Sequence, residues 1–160
     1  MIDVDVRRAT AADAESLAGV YRSAYRENRE LGFPAKAESA TESEVASWIR
    51  EHRMYVATVE EDDEETVVGG VRLEATDSDR VKLSRLGVHE TWKGEGIGSK
   101  LVDYAEEAVR EWGYDTVWLT TPENHPYLPE LYRRRGYERT DTYPLEYREY
   151  DEIVMEKRLR

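Results

Sequence analysis

The chain has 160 residues and a mass of 18.6 kDa, enough for one domain with a packed core, and no apolar run approaches the roughly 20 residues that span a bilayer. It contains no cysteine, which excludes a disulfide framework, a thiolate metal site and a cysteine nucleophile; three scattered histidines (His52, His89 and His125) argue against a His-built metal site. Asp and Glu number 35 against 23 Lys and Arg, a net charge of -12, so nucleic acid and anionic lipid are repelled unless positive charge gathers locally.

Arg outnumbers Lys 18 to 5 among the basic residues. Low Lys with high acid reads as halophilic adaptation, because carboxylates keep a surface hydrated while salt screens their repulsion. An ordinary acidic protein is the alternative. The opening MIDVDVRRAT lacks the apolar stretch of a secretory leader, which points to a cytoplasmic protein. No repeat and no Pro/Gly/Ser-rich linker divides the chain, so residues 1–160 are expected to form a single domain.

In chain order, Val4 and Val6 alternate in a first strand over Asp3–Arg8. Thr10 with Asp13 then offers a capping-box helix start. Leu17, Val20, Tyr21, Ala24 and Tyr25 share one face of that helix. The chain breaks around Gly32 and Pro34. Thr41 with Glu44 opens a second helix through Val45, Trp48 and Ile49. Strands are predicted over Arg53–Val59, Thr66–Glu74 and Arg80–Val88, with the acidic run Glu60–Glu65 as a tight, solvated connection.

A glycine-rich turn, Gly94–Gly98, leads into the most regular helix. Ile97, Leu101, Val102, Ala105, Ala108, Val109 and Trp112 form its apolar stripe. Lys100, Asp103, Glu106, Glu107 and Arg110 face away, and Gly113 ends it. A buried strand over Thr116–Thr121 follows, and strand–helix–strand with such short joints implies a parallel crossover. Leu128–Arg135 reads as a short helix closed by Gly136. Tyr137–Thr142 and Glu152–Leu159 are strands around a Tyr-rich loop. The result is an α+β fold with a mixed, mostly antiparallel sheet and flanking helices.

The segment Leu86–Lys100, LGVHETWKGEGIGSK, has the physics of an anion cradle. Glycines let the backbone approach a ligand, and the next helix begins with unpaired N–H groups at the positive end of its dipole. Residues 81–100 carry Lys82, Arg85, Lys93 and Lys100 against Glu90 and Glu95, a reversal of the chain's overall sign. A pyrophosphate suits such a place. Two phosphate motifs fail: Ser99 precedes Lys100 where a mononucleotide loop needs the reverse, and Gly94, Gly96 and Gly98 give GxGxG where the dinucleotide fingerprint needs GxGxxG. A nucleotide-binding protein is therefore the weaker reading.

Lys93-Gly94-Glu95-Gly96-Ile97-Gly98 resembles motif A of the GNAT N-acetyltransferases, Arg/Gln-x-x-Gly-x-Gly/Ala, with Lys keeping the cation and losing the fork of Arg. Leu131-Tyr132-Arg133-Arg134-Arg135-Gly136-Tyr137 resembles that family's Leu-Tyr-x-x-x-Gly-Phe, and the order of elements matches its fold across nearly the whole chain. The resemblance implies transfer of an acetyl group from acetyl-CoA, as cosubstrate and without a metal, to the primary amine of a small-molecule or peptide acceptor. It also implies residue roles. The amides of Gly94, Glu95, Gly96, Ile97, Gly98 and Ser99 would hold the cofactor's pyrophosphate, Leu86, Gly87 and Val88 would pair with its pantetheine arm, and Lys93 and Asn124 would also bind the cofactor. The Val88 N–H would polarise the thioester carbonyl. Tyr132 would be the general acid toward the departing thiolate; a core tyrosine packing a helix on the sheet is the alternative.

Some relatives place a Glu at the start of the strand leading to motif A. VKLSRLGV has none, so Glu74, ending the preceding strand, stands as the candidate base beside a water chain. His89 reads as a turn residue. With no cysteine, direct attack in a ternary complex is the expected mechanism. Phe33, Tyr143, Tyr147 and Tyr150 would line the acceptor pocket or pack a hairpin. Arg85 is expected to meet a neighbouring surface acid, with a substrate carboxylate as the alternative. A non-catalytic acyl-CoA sensor on the same fold is the second functional reading, and the terminal strands could serve a homodimer seam.

Overall fold

The computed structural model describes residues 3–33, 36–76, 79–143 and 150–159, with backbone alone at 27–28 and 36–37. Its elements follow the predicted order: β1 (Asp5–Arg8), α1 (Ala14–Glu30), α2 (Glu42–Glu51), β2 (Arg53–Glu61), β3 (Glu64–Ala75), β4 (Arg80–Val88), α3 (Ile97–Trp112), β5 (Thr116–Pro122), α4 (Leu128–Arg134), β6 (Glu138–Tyr143) and β7 (Glu152–Arg158). The strands form one seven-stranded sheet in the order β1-β2-β3-β4-β5-β7-β6. Among the described residues β4 with β5 is the one parallel pair. This is the mixed, mostly antiparallel sheet with flanking helices expected from the sequence.

Local chemistry sets the boundaries. At the start of the first helical region the Thr10 N–H donates to the Asp13 carboxylate at 2.7 Å, and Arg7 grips the same carboxylate through two nitrogens at 2.8 Å. Thr41 and Glu44 cap α2 reciprocally, each bond 3.2 Å. The acidic run is not all connection. Strands β2 and β3 extend into it until only Asp62 and Asp63 remain, both with positive φ (50° and 65°), the conformation that matches a two-residue hairpin to strand twist.

Each face of the sheet has its own core. Helices α1 and α2 cover one face with Leu17, Ala18, Val20, Tyr21 and Val45 over Met54 and Val56. On the other face Ile97, Leu101, Val102, Ala105 and Val109 of α3, with Tyr132 and Tyr137, meet Val71, Leu73, Val81, Leu83 and Leu119. Helix α1 lies almost on the backbone of β3 and β4. A Cβ at Gly70 would fall 2.5 Å from Leu17 Cδ1, and one at Gly87 3.1 Å from Ala24 Cβ. Larger residues at these positions would lift α1 and its tyrosines away from β4.

One expectation for α3 is corrected. Glu106 does not face solvent: it is 5% exposed, accepting from the Tyr137 hydroxyl at 2.9 Å and from Lys157 Nζ at 2.8 Å. Its carboxylate ties α3 to β7 and to the start of β6.

Candidate active site

Strand β4 supplies one wall. Arg72 faces Ser84 while Gly70 faces Gly87, so two steps along β3 match three along β4. The resulting bulge contains Arg85, whose φ of 50° is left-handed. Such a conformation in a non-glycine residue costs roughly 1–3 kcal/mol and must be held by its surroundings. On its other edge β4 meets β5 only at Arg80–Lys82, opposite Thr116–Trp118, whereas β5 pairs with β7 as far as Pro122. Beyond Lys82 and Trp118 the two strands part.

The polar edge of β4 is turned into that gap. The His89 N–H donates to Val68 O at 2.9 Å, toward β3. Successive N–H groups of a strand alternate between its edges, so the Val88 N–H faces the gap.

A cavity of about 490 Å³ occupies this place. Leu86, Gly87 and Val88 form one side, and Lys93, Gly94, Gly96, Ile97, Gly98 and Ser99 its mouth. Gly94 and Gly96 have φ of 85° and 78°, a backbone only glycine adopts freely, and Gly96 is the N-cap of α3. A Cβ at either would meet nothing within 4 Å, and one at Gly98 would meet only Val88 Cγ2 at 3.9 Å. The amides here border open space.

Of the residues expected to hold a cofactor, Glu95 and Asn124 do not line the cavity; both are exposed, Asn124 in the turn after β5. The local positive charge is also spent differently. Lys100 turns away to donate to Val4 O at 2.7 Å, and Lys82 lies over the Trp118 ring. Lys93, whose Nζ is 3.4 Å from Ala24 O, and the amino end of α3 remain at the mouth.

Tyr132 lies on α4, the helix that lends Leu128 and Leu131 to the cavity wall. It is 6% exposed, with its ring edge-on to Tyr137 at 5.7 Å. Burial pushes its phenol pKa up, Tyr25 adds to this and Arg135 opposes it. Tyr132 is not itself a lining residue. Glu74 lies apart from the cavity. Its carboxylate accepts from Ser84 Oγ at 2.8 Å and meets Arg72 at 3.2 Å, with His52 Nε2 at 3.9 Å. Desolvation would raise its pKa, but Arg72 and the Ser84 hydroxyl outweigh that and hold it low. A carboxylate so engaged is a poor proton acceptor.

His89 serves the turn, its Nδ1 accepting from the Thr91 N–H at 3.1 Å. Phe33 and Tyr150 do come together, ring centroids 5.1 Å apart, with His125 against Phe33 at 5.3 Å. Tyr143 is exposed at the end of β6, and Tyr147 lies outside the described residues. Among the described residues Arg85 meets no surface acid; its guanidinium lies over Trp48 at 5.1 Å. The cavity also uses residues that the pattern did not mark: Ala24 and Tyr25 of α1, Trp92, and Tyr127 ahead of α4. The Tyr25 hydroxyl donates to Leu86 O at 2.9 Å. A tyrosine in an apolar helical stripe is the available signal, because its buried hydroxyl must find a partner.

The fold is shared with solved acetyltransferases. PaiA N-acetyltransferase from Thermoplasma acidophilum, in complex with coenzyme A, superposes with a TM-score of 0.78 at 19% identity, covering 98% of this chain and 99% of that one. Residues 18–137 match the acetyltransferase (GNAT) family. Two Bacillus subtilis (strain 168) relatives extend the match: S-(2-succino)cysteine N-acetyltransferase is 32% identical over 96% of this chain and 95% of its own length, and S-alkylcysteine N-acetyltransferase is 31% identical over 86% and 80%. The chain belongs to the GNAT acetyltransferase family. It is an N-acetyltransferase with acetyl-CoA as the acyl donor.

Proposed function

We propose that the protein acetylates the primary amine of a small amino-acid-like acceptor by direct attack within a ternary complex. The observation that carries this reading is the parting of β4 and β5 beside the amino end of α3, with a cavity of about 490 Å³ between them. The donor's diphosphate fits the free amides of Gly94, Gly96, Ile97, Gly98 and Ser99, where glycines leave room and the helix dipole favours negative charge. Its amide-bearing arm fits the edge of Leu86–Val88 that has no neighbouring strand, where Leu86 O already takes the Tyr25 hydroxyl.

In this reading the Val88 N–H donates to the carbonyl oxygen as negative charge grows there. Tyr132, buried and off the cavity lining, keeps its proton through the whole working range, and in this reading its hydroxyl turns to hydrogen-bond the departing sulfur once the donor is seated. Burial makes it a weaker acid than a free phenol, so it stabilises the thiolate more than it fully protonates it. Glu74 acts as the counter-ion of Arg72, and the acceptor amine loses its proton to water. Glu95 and Asn124 stay outside the donor contacts. The S-substituted cysteines named for the two Bacillus relatives support an amino-acid acceptor.

Among the described residues no helix is long and apolar enough to cross a membrane. Together with the acidic, Lys-poor composition, this fits one domain working in a salt-rich cytoplasm. Thermal shift with acetyl-CoA, CoA and ATP tests the donor. Acetyl-CoA and CoA should raise the melting temperature and ATP should not, because only a ligand of the native state stabilises it. Thiol release against a panel of amines tests transfer. Silence across S-substituted cysteines, other amino acids and peptides would overturn the catalytic reading.

A further inference from the structure

Beside the cavity, on the sheet face covered by α1 and α2, lies a group of side chains that the acetyl-transfer chemistry leaves unused. Arg85 stands at the β4 bulge, one residue before the cavity wall. Its Nε is buried and has no hydrogen-bond partner, and among the described residues no carboxylate pairs with it. Four other arginines that are at least partly buried have acidic partners, Arg7 with Asp13, Arg72 with Glu74, Arg80 with Glu156 and Arg135 with Asp103, while Arg53 lies over Trp112. In so acidic a chain, a guanidinium that no described carboxylate meets, held in a strained backbone, stands out.

A second group nearby is also unsatisfied. Tyr21 is 0% exposed and its hydroxyl has no partner. Its ring meets Trp48 edge-on at 6.0 Å and Tyr25 at 6.1 Å, and both Arg72 and Arg85 act electrostatically on its hydroxyl. Trp48 carries Arg72 and Arg85 over its ring, at 5.2 and 5.1 Å. Arg72 is neutralised by Glu74, and Ser84 is used between the two. Among the described residues one positive charge and one hydroxyl donor are left over. A carboxylate has the charge and the lone pairs to take both.

We propose that Arg85 and the Tyr21 hydroxyl form a carboxylate-binding subsite that orients the acceptor. This rests on the acetyltransferase reading and specifies its substrate class as amines bearing a carboxylate. The subsite adjoins the reaction centre, because Arg85 precedes Val88 by three residues, about 10 Å of strand, which the Arg side chain can partly span back. Arg85 and Trp48 are half-buried, whereas the Tyr21 hydroxyl and Arg85 Nε are enclosed, so an incoming carboxylate meets the outer guanidinium nitrogens first and gains the hydroxyl only as the subsite closes on it. The field of an acidic chain disfavours the carboxylate of such a zwitterion, so a local cation is the way to hold that group.

The test compares S-methyl-L-cysteine, its carboxamide, and S-(carboxymethyl)cysteamine as acceptors for the wild type, Arg85→Met and Tyr21→Phe. The wild type should prefer an acid over the carboxamide by 100-fold or so in kcat/KM, and the better acid tells an α-carboxylate from a side-chain one. Arg85→Met should reduce that ratio at least 10-fold, and Tyr21→Phe, which keeps the ring packing, several-fold, chiefly through KM. An unchanged ratio in both folded variants would overturn the subsite. Should no acceptor turn over, the acetyltransferase reading fails separately, and calorimetry of S-methyl-L-cysteine with CoA present decides the subsite. Binding by the wild type and not by Arg85→Met supports it, and equal binding or none rejects it.

Discussion

Burial holds the Tyr132 phenol protonated well past its ordinary pKa of 10.0, which defines what the residue can do. Tyr132→Phe keeps the packing against Tyr137 and removes only the hydroxyl, so kcat should fall about 10–100-fold while calorimetric CoA affinity stays within a few-fold. Gly96 makes a complementary case. Its φ of 78° and its place at the head of α3 mean that Gly96→Ala strains the turn by roughly 1–2 kcal/mol and tilts the amides. The KM for acetyl-CoA should rise at least several-fold, with kcat at saturation less affected; equal KM values in steady-state kinetics would count against the cradle. The glycines were legible because their spacing answers a backbone requirement within one short segment. Tyr25 was not, because the i, i+4 pattern that puts it beside Tyr21 is equally that of a core helix. The fate of Glu74 was hidden for another reason: Arg72 and Ser84 reach it through the β3–β4 register, which is a tertiary fact.

At the level of elements, short polar contacts decide where helices begin. Thr41→Ala removes one half of the reciprocal cap on α2 and should cost about 1 kcal/mol in urea unfolding. The Arg7–Asp13 pair, joining β1 to the first helical turn, makes stability depend on pH. Arg7 holds the Asp13 carboxyl below its usual 3.8 and does the same for Glu65. The unfolded chain therefore takes up protons first as pH drops. The stabilisation is complete above the unfolded values and is lost as pH falls through about 4 and on through the folded ones. Arg7→Met should flatten that loss in unfolding curves between pH 5 and 3. Both caps were readable from residue type and spacing alone. Glu106 was not: helical periodicity assigns it to the outer face, and only the placement of β6 and β7 brings Tyr137 and Lys157 over it. Glu106→Ala should destabilise by about 3 kcal/mol, because it strands a lysine and a buried hydroxyl together.

For the whole molecule, a net charge of -12 means that self-repulsion opposes the compact state at low ionic strength. The melting temperature should climb by several degrees between 0.1 and 2 M KCl, and a flat profile would return the composition to that of an ordinary acidic protein. Strand order and the parallel crossover could be anticipated because short joints leave few topologies open. The Arg85 bulge could not, since nothing in VKLSRLGV marks a left-handed residue. The short join between β4 and β5 has a mechanical consequence. Among the described residues three rungs are all the backbone ladder between the β1–β4 half of the sheet and the β5–β7–β6 half, the rest of the join being side-chain contacts with α3 bridging above. A donor lodged in the cleft is therefore a keystone as well as a reactant. When it is present, amide hydrogen exchange should slow across both halves at once; when it leaves, they should open independently, like leaves on one hinge.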